Sequence, residues 1–296
     1  MIRLLVPLAA LLVAALAAAS VLRRSRSGPA DLVGDPLKRV ATRAFVWRSA
    51  GLLFGVVVAL RLAFAPPSWL GLGLAVIAPA VALCVLLGVL AGELSGYKNR
   101  GPARSASLSA RSIASYLPPV ATRWMVGLTV LLTALLTATT AAGSADDQGR
   151  PGRSLTVLCG GGAGDMYSSS HGPWPGLFYS GPIGGGTLAG LVAAAVVLHR
   201  IAHRPRPGAE VEVSDDALRR RSSRMVIAAA GLLVATSLTG AALFAGGAML
   251  NVDCGPTWLP VLGWLTLASA AVGFISAATF ASILLVPGRI PVGAPR

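Results

Sequence analysis

The residues that most suggest chemistry lie in one stretch, Val157–Gly176, which reads VLCGGGAGDMYSSSHGPWPG. In it, Cys159 leads into a glycine-rich segment that ends at Asp165, and His171 follows. Such a segment could cradle a phosphate, hold a metal ion or anchor a disulfide. A phosphate-binding loop of the Walker type requires Lys-Ser or Lys-Thr after its last glycine, whereas Asp165 follows Gly164 here. The choice among the other readings depends on the compartment in which the stretch lies.

The composition indicates a membrane protein. Of the 296 residues, 54% are hydrophobic and 12% are charged, and the mean hydropathy is +0.72. An average soluble domain carries about 25% charged residues. Seven apolar runs approach the roughly 20 residues that a helix needs to cross a bilayer. They cover about residues 4–22, 45–65, 69–92, 124–143, 183–201, 225–250 and 258–286. We therefore expect an all-α fold, a seven-helix transmembrane bundle in one integral membrane domain, with a flexible outer loop at residues 144–182.

The positive charges predict how the chain crosses the membrane. Lys and Arg in short loops stay in the cytoplasm, and 21 of the 25 lie in the loops after the first, third and fifth runs and in the C-terminal tail. This distribution places the N-terminus outside and the C-terminus inside a plasma membrane. In an alternative, the first run is a signal peptide cleaved near Leu16–Ser20, which leaves six helices. The net charge of +14 is explained by basic loops that are attracted to an anionic inner leaflet. We therefore expect the lipid bilayer, and no nucleic acid, as a partner.

A basic cluster opens the sixth predicted helix. Arg219, Arg220 and Arg221 lie on its cytoplasmic side, where we expect them to contact lipid headgroups. Asp215 and Asp216 precede them at the four-residue spacing that allows ion pairs along a helix.

Few polar residues lie within the apolar runs. Thr129, Thr133 and Thr137 share one face of the fourth predicted helix, Ser276 lies in the seventh, and Glu93 ends the third. These side chains could line a path for an ion or a polar solute. Alternatively, each hydroxyl bonds to its own helix backbone, and Glu93 pairs with nearby cations.

The cysteines predict a disulfide. Cys159 and Cys254 both fall in predicted outer loops, where the environment is oxidising, whereas Cys84 lies within an apolar run. A bond between Cys159 and Cys254 would tie the long outer loop to the turn before the last helix; the alternative is two free thiols. Trp174, further along the loop, is expected to anchor the chain at the membrane interface.

Residues that could support catalysis or metal binding do not form a complete set. His199 and His203 have the spacing of metal ligands, but no carboxylate or cysteine completes a site. A membrane enzyme would require Asp165, His171 and Asp253 to converge. We expect no metal, no cofactor and no enzymatic activity.

Two predicted cytoplasmic segments carry a resemblance. Gly92–Pro119 and Arg204–Arg224 resemble inner loops of uncharacterised multi-pass membrane proteins of high-GC Gram-positive, actinobacterial type. The resemblance implies the same broad class and adds no catalytic residue. The leading hypothesis is a non-enzymatic integral membrane protein with a structural, accessory or sensing role. The alternative is a small-solute transporter or a channel component.

Overall fold

A computed structural model describes residues 35–96, 113–160, 166–203 and 212–285. Within these ranges the chain forms six long helices, and each is long and apolar enough to cross a membrane. They are α1 (Asp35–Ala63), α2 (Leu72–Gly96), α3 (Pro119–Ala141), α4 (Leu177–His203), α5 (Glu212–Leu250) and α6 (Trp258–Leu285). The first predicted run, residues 4–22, lies outside the described residues. The chain is thus a multi-pass helical membrane protein.

Several helices extend beyond the predicted apolar runs because capping and turn residues, not hydropathy, define their ends. The helix α1 begins at Asp35, ten residues before its apolar run. The helix α3 begins at Pro119 instead of residue 124, after Pro118 in an extended conformation. Proline suits the first position of a helix because it lacks the N–H that would have no partner there. The helix α4 begins at Leu177 instead of residue 183, with Pro182 inside its first turns.

The helix α5 lies at the centre of the bundle. Its apolar segment is 72% buried, whereas those of the other five helices are between 11% and 33% buried. It packs against α2, α3, α4 and α6, and a helix that is apolar on all sides suits this surrounded position. The helix α1 packs against α2, where a Cβ at Gly51 would lie 2.5 Å from the Cys84 carbonyl oxygen. Glycine is therefore required for this close backbone approach.

The expectation of an all-α fold with a flexible outer loop is wrong for part of residues 144–182. Strand β1 (Leu155–Gly160) pairs with β2 (Met166–His171) in an antiparallel hairpin, with Leu155 opposite His171. In β1, Leu155 and Cys159 are buried while Thr156 and Leu158 are exposed, which is the alternation of a half-buried strand. The many Gly and Ser residues around these short strands concealed this pattern in the sequence.

Candidate functional site

A cavity of about 1140 Å³ lies beneath the hairpin. Its walls come from α2, α4 and α5, from the segment before β1 and from the segment after β2. We call the end of the bundle that carries β1 and β2 the hairpin end. The opposite end, where Arg219, Arg220 and Arg221 lie near the start of α5, is the arginine end. The floor is apolar and the rim is polar. The floor includes Leu74, Ala75, Ala78, Ile183, Ala241 and Phe244, and the rim includes Asp146, Asp147, Arg150, Arg153, Ser170 and His171.

The cavity penetrates the helical part of the protein. Along α5 its lining residues extend from Phe244 to Thr236, a separation of eight positions that corresponds to about 12 Å of helix. Leu233, one turn beyond Thr236, is fully buried. From there toward the arginine end, an apolar cluster that includes Leu86 and Val226 fills the interior. The cavity is therefore a cleft that enters the bundle from the hairpin end.

A network of charged and polar side chains forms one side of the rim. Asp146 accepts hydrogen bonds from the side chain of Arg150, with a shortest N–O distance of 2.8 Å, and from Nη1 of Arg153. Arg153 also donates to the hydroxyl of Tyr179 at 3.3 Å, and Tyr179 donates to the carbonyl of Leu70 at 2.7 Å. The network thus joins the segment before β1 to α4 and to the α1–α2 connection.

The ionisation of this network follows from its contacts. Desolvation acts to raise the pKa of Asp146. Hydrogen bonds from the backbone and side chain of Arg150 and from the amide of Gln148, together with the charge of Arg150, outweigh this effect, so the pKa lies below its ordinary value. Desolvation likewise acts to lower the pKa of Arg153, but its interactions with Tyr179 and Asp146 raise it above its ordinary value. Asp146 and Arg153 are therefore both charged at neutral pH.

A tight turn presents these side chains to the cavity. The carboxylate of Asp146 accepts from the amides of Gln148 and Arg150, at 3.1 and 2.9 Å, and Gly149 has a φ of 75°. Asp and Gly favour such turns because the carboxylate bonds to the following backbone and glycine adopts positive φ without strain. The signal is present in the sequence as Asp-Asp-Gln-Gly, but Asp146, Arg150, Arg153 and Tyr179 were not among the predicted site residues.

Trp174 is a structural residue of the cavity wall. It is only 1% exposed, and its indole Nε1 donates to the carbonyl of Thr139 at 2.7 Å. The prediction that it anchors the chain at the membrane interface is therefore wrong. The buried indole has a carbonyl partner from α3, so it does not need water or headgroups at its N–H.

The predicted pair of cysteines meets beside the hairpin. Cys159 and Cys254 are joined as a disulfide, with their Cα atoms 5.8 Å apart, a separation that suits the bond. The amide of Asp253 also donates to the hydroxyl of Ser169 at 3.3 Å. The α5–α6 turn is thus attached to both strands of the hairpin.

The threonine stripe does not line the cavity. Thr129, Thr133 and Thr137 donate to the carbonyls of Met125, Thr129 and Thr133, four residues earlier in each case. Thr133 and Thr137 are exposed on the outer surface of the bundle. The hydroxyls are satisfied by their own helix, as the alternative interpretation predicts, and none of the three residues lines the cavity.

Two further residues were considered for the same path. Ser276 is buried, donates to the carbonyl of Val272 and accepts from Nε1 of Trp124 at 3.0 Å, so it links α3 to α6. It does not line the cavity. The side chain of Glu93 lies outside the described part of the structure.

Arg219 does not contact lipid headgroups, contrary to the sequence analysis. It is 1% exposed, and its Nη1 donates to the carbonyls of Ile201 and Ala202, at 2.9 Å each. These carbonyls belong to the last turn of α4, where no backbone N–H is available to them. Arg220 is exposed and Arg221 is partly exposed, so contact with lipid headgroups remains a prediction for these two neighbours.

The residues proposed for catalysis or metal binding are only partly described. His171 lines the rim and Asp253 is exposed on the α5–α6 turn, while Asp165 lies outside the described residues. The rings of His199 and His203 lie 4.0 Å apart, and Nδ1 of His203 contacts the carbonyl of His199. In the described ranges no group of three His, Cys, Asp or Glu side chains is placed to hold a metal ion.

Two polar atoms in the cavity wall remain without a hydrogen-bond partner in the described part of the chain. They are Nε of Arg153 at the rim and Oγ of Ser237 near the floor. Buried polar atoms without partners are uncommon in folded proteins, and these two belong to residues that line the cavity although the atoms themselves are buried.

Comparisons with protein-family models, with curated proteins and with solved structures find no significant match for this chain.

Proposed function

We propose that the protein is a non-enzymatic plasma-membrane protein that binds a small ligand in the cavity at its hairpin end, in a sensing or accessory role. The observation that carries the proposal is the cavity itself, about 1140 Å³ in volume and largely apolar, with charged groups at one side. Ligand-binding cavities typically have volumes of about 300–1000 Å³, apolar walls and a few polar groups that orient the ligand.

The elements around the cavity support a preformed site. The segments at the hairpin end are each attached to a different helix or turn. The network from Asp146 reaches Tyr179 of α4, Trp174 donates to Thr139 of α3, and Cys159 is bonded to Cys254 in the α5–α6 turn. A site held in this way loses little conformational entropy when a ligand binds.

The orientation is part of the proposal. The uneven distribution of Lys and Arg across the loops supports an arginine end in the cytoplasm and a hairpin end outside. In this arrangement the cavity meets molecules of the exterior or of the outer leaflet, and the disulfide lies in an oxidising compartment.

Transport of a small solute is the second candidate, and the depth of the cavity favours it. An open cleft that enters the bundle from one side resembles one half of a transport cycle. The buried apolar cluster beyond Leu233 would have to open for release on the other side. The binding hypothesis requires no such rearrangement.

Two glycine substitutions on α5 test the proposal. Gly240 lines the cavity and a Cβ there would meet no atom within 4 Å, and Gly247 offers the same open space without lining the cavity. We expect Gly240→Leu to fill part of the cavity and Gly247→Leu to leave it unchanged. Native mass spectrometry of the purified proteins should then show a small molecule retained by the wild type and by Gly247→Leu, but not by Gly240→Leu.

Equal retention in all three proteins, or retention in none, would contradict the proposal. Thermal unfolding should show that both variants remain folded. Uptake of the retained molecule into proteoliposomes would favour the transport candidate over binding alone.

A further inference from the structure

We infer that the ligand of the hairpin-end cavity is a zwitterionic lipid, with its phosphate and ammonium groups at the rim and an acyl chain along the floor. The inference rests on the proposed binding function and adds the chemical class of the ligand. It follows from the charges of the rim, the composition of the floor and the exposure of one wall.

The rim presents charges of both signs to the same space. Arg150 and Arg153 face Asp146 and Asp147 around one side of the cavity. An anionic ligand would meet two carboxylates there, and a cationic ligand would meet two guanidinium groups. A ligand with one charge of each sign pairs with both kinds of side chain, which is the electrostatic complementarity that selects a partner.

Individual rim groups remain available for such a ligand. The side chain of Arg150 is 35% exposed although it pairs with Asp146, and Asp147 is exposed. Guanidinium groups suit phosphate oxygens because they donate several hydrogen bonds in one plane, and Asp147 is placed to meet the ammonium group.

The floor below this rim is suited to hydrocarbon. Leu74, Ala78, Ile183 and Phe244 line it, and Gly240 leaves open space above its Cα atom. Burial of an acyl chain against these side chains removes apolar surface from water and so favours binding. A free zwitterion such as phosphoethanolamine would leave this surface uncovered.

One wall indicates how a lipid would enter. The helix α5 is largely buried, yet Leu243 is 52% and Phe244 is 40% exposed, and Phe244 lines the cavity. These two side chains lie on the hairpin-end half of a membrane-spanning helix. The cavity is therefore bordered by exposed apolar side chains of this helix, and a lipid would enter past them from the side.

The experiment compares three single-chain lipids with the same palmitoyl chain. Lysophosphatidylethanolamine is zwitterionic, lysophosphatidylglycerol is anionic and monopalmitoylglycerol is uncharged. Binding to the purified full-length protein in a non-ionic detergent is measured by native mass spectrometry. We expect the zwitterionic lipid to bind most tightly, about two- to fivefold more than the other two, which is the range for a partly exposed charge pair.

Two carboxylate variants test the headgroup assignment. Asp147→Asn should reduce binding of the zwitterionic lipid by about two- to fivefold. Asp253→Asn is the matched control, since Asp253 is also exposed at the hairpin end but does not line the cavity, and it should leave binding unchanged. Gly240→Leu should abolish binding of all three lipids.

The outcomes separate this inference from the proposed function. Tighter or equal binding of the anionic or uncharged lipid, still sensitive to Gly240→Leu, would overturn the headgroup assignment and leave a ligand-binding cavity. Competition by free phosphoethanolamine at the same concentration as the lipid would overturn the role of the acyl chain. Retention of a different small molecule with no binding of any of the three lipids would reject the lipid class. No bound molecule of any kind would reject the proposed function as well.

Discussion

Arg219 illustrates how a buried charge is accommodated at the arginine end. Its guanidinium group donates to two carbonyls at the end of α4, and the residue is almost completely buried. A buried charge is costly unless hydrogen bonds replace the lost water. Here the same bonds satisfy backbone carbonyls that the helix itself leaves without donors. Arg219 therefore couples the start of α5 to the end of α4.

Substitution of Arg219 should destabilise the protein more than substitution of its neighbour. We expect Arg219→Met to lower the free energy of unfolding by about 2–4 kcal/mol, because two buried carbonyls lose their donor. Arg220→Met should change it by less than about 0.5 kcal/mol, since Arg220 is exposed. Thermal unfolding of the purified variants in detergent measures both effects. Similar values for the two variants would show that the contacts of Arg219 do not contribute to stability.

At the scale of elements, the hairpin is the part of the fold that departs most from a plain helical bundle. A two-stranded hairpin is marginally stable by itself. This one is attached through Cys159 to the α5–α6 turn, through Ser154 to Ser144, and through the Arg153 carbonyl to the amide of Trp174. The attachments hold the hairpin at the edge of the cavity, which Ser170 and His171 of β2 line.

Loss of the disulfide should loosen the hairpin of β1 and β2 selectively. We expect Cys159→Ser to raise amide hydrogen exchange in Leu155–His171 by at least about tenfold, which corresponds to about 1.4 kcal/mol of local opening free energy. Exchange in α5 should change much less, because that helix is buried by its neighbours. Cys84→Ser is the control, as Cys84 is the free cysteine of the described residues. Unchanged exchange in the hairpin would show that the other attachments suffice.

At the scale of the whole molecule, the two ends of the bundle differ in packing. The apolar cluster with Leu86 and Val226 fills the interior toward the arginine end, whereas the hairpin end encloses the cavity. The central helix α5 passes through both regions and contributes to both. A ligand at the hairpin end would therefore contact a helix that packs against α2, α3, α4 and α6.

The proposed orientation predicts the reactivity of the cysteines in intact cells. A membrane-impermeant thiol reagent should label Cys159 and Cys254 only after treatment with a reductant, because the disulfide lies outside. Cys84 should not react, since it lies within α2 in the apolar part of the bundle. Labelling without reductant would reject the bond, and no labelling after reduction would reverse the orientation. The double variant with Ser at residues 159 and 254 controls for labelling elsewhere.

The amino-acid sequence by itself determined the class of protein, the approximate positions of the six described helices and the pair of cysteines. These features depend on local composition, because about 20 apolar residues suffice to specify a membrane-spanning helix. It did not specify the hairpin, since the short strands are surrounded by Gly and Ser. The turn that carries Asp146 was readable, but its partners Arg153 and Tyr179 come together only through the packing of α4 against the loop.

Only the tertiary structure decided which faces of the helices meet protein and which meet lipid. Helical spacing shows that Thr129, Thr133 and Thr137 share a face, but both lipid and protein interior are apolar, so hydropathy does not distinguish the two surroundings. The burial of Arg219 and of Trp174 likewise depends on tertiary packing, because their hydrogen-bond partners lie on other helices: Ile201 and Ala202 on α4, and Thr139 on α3. The cavity, too, exists only as the space left between three helices and a covered end, and no single segment of the sequence encodes it.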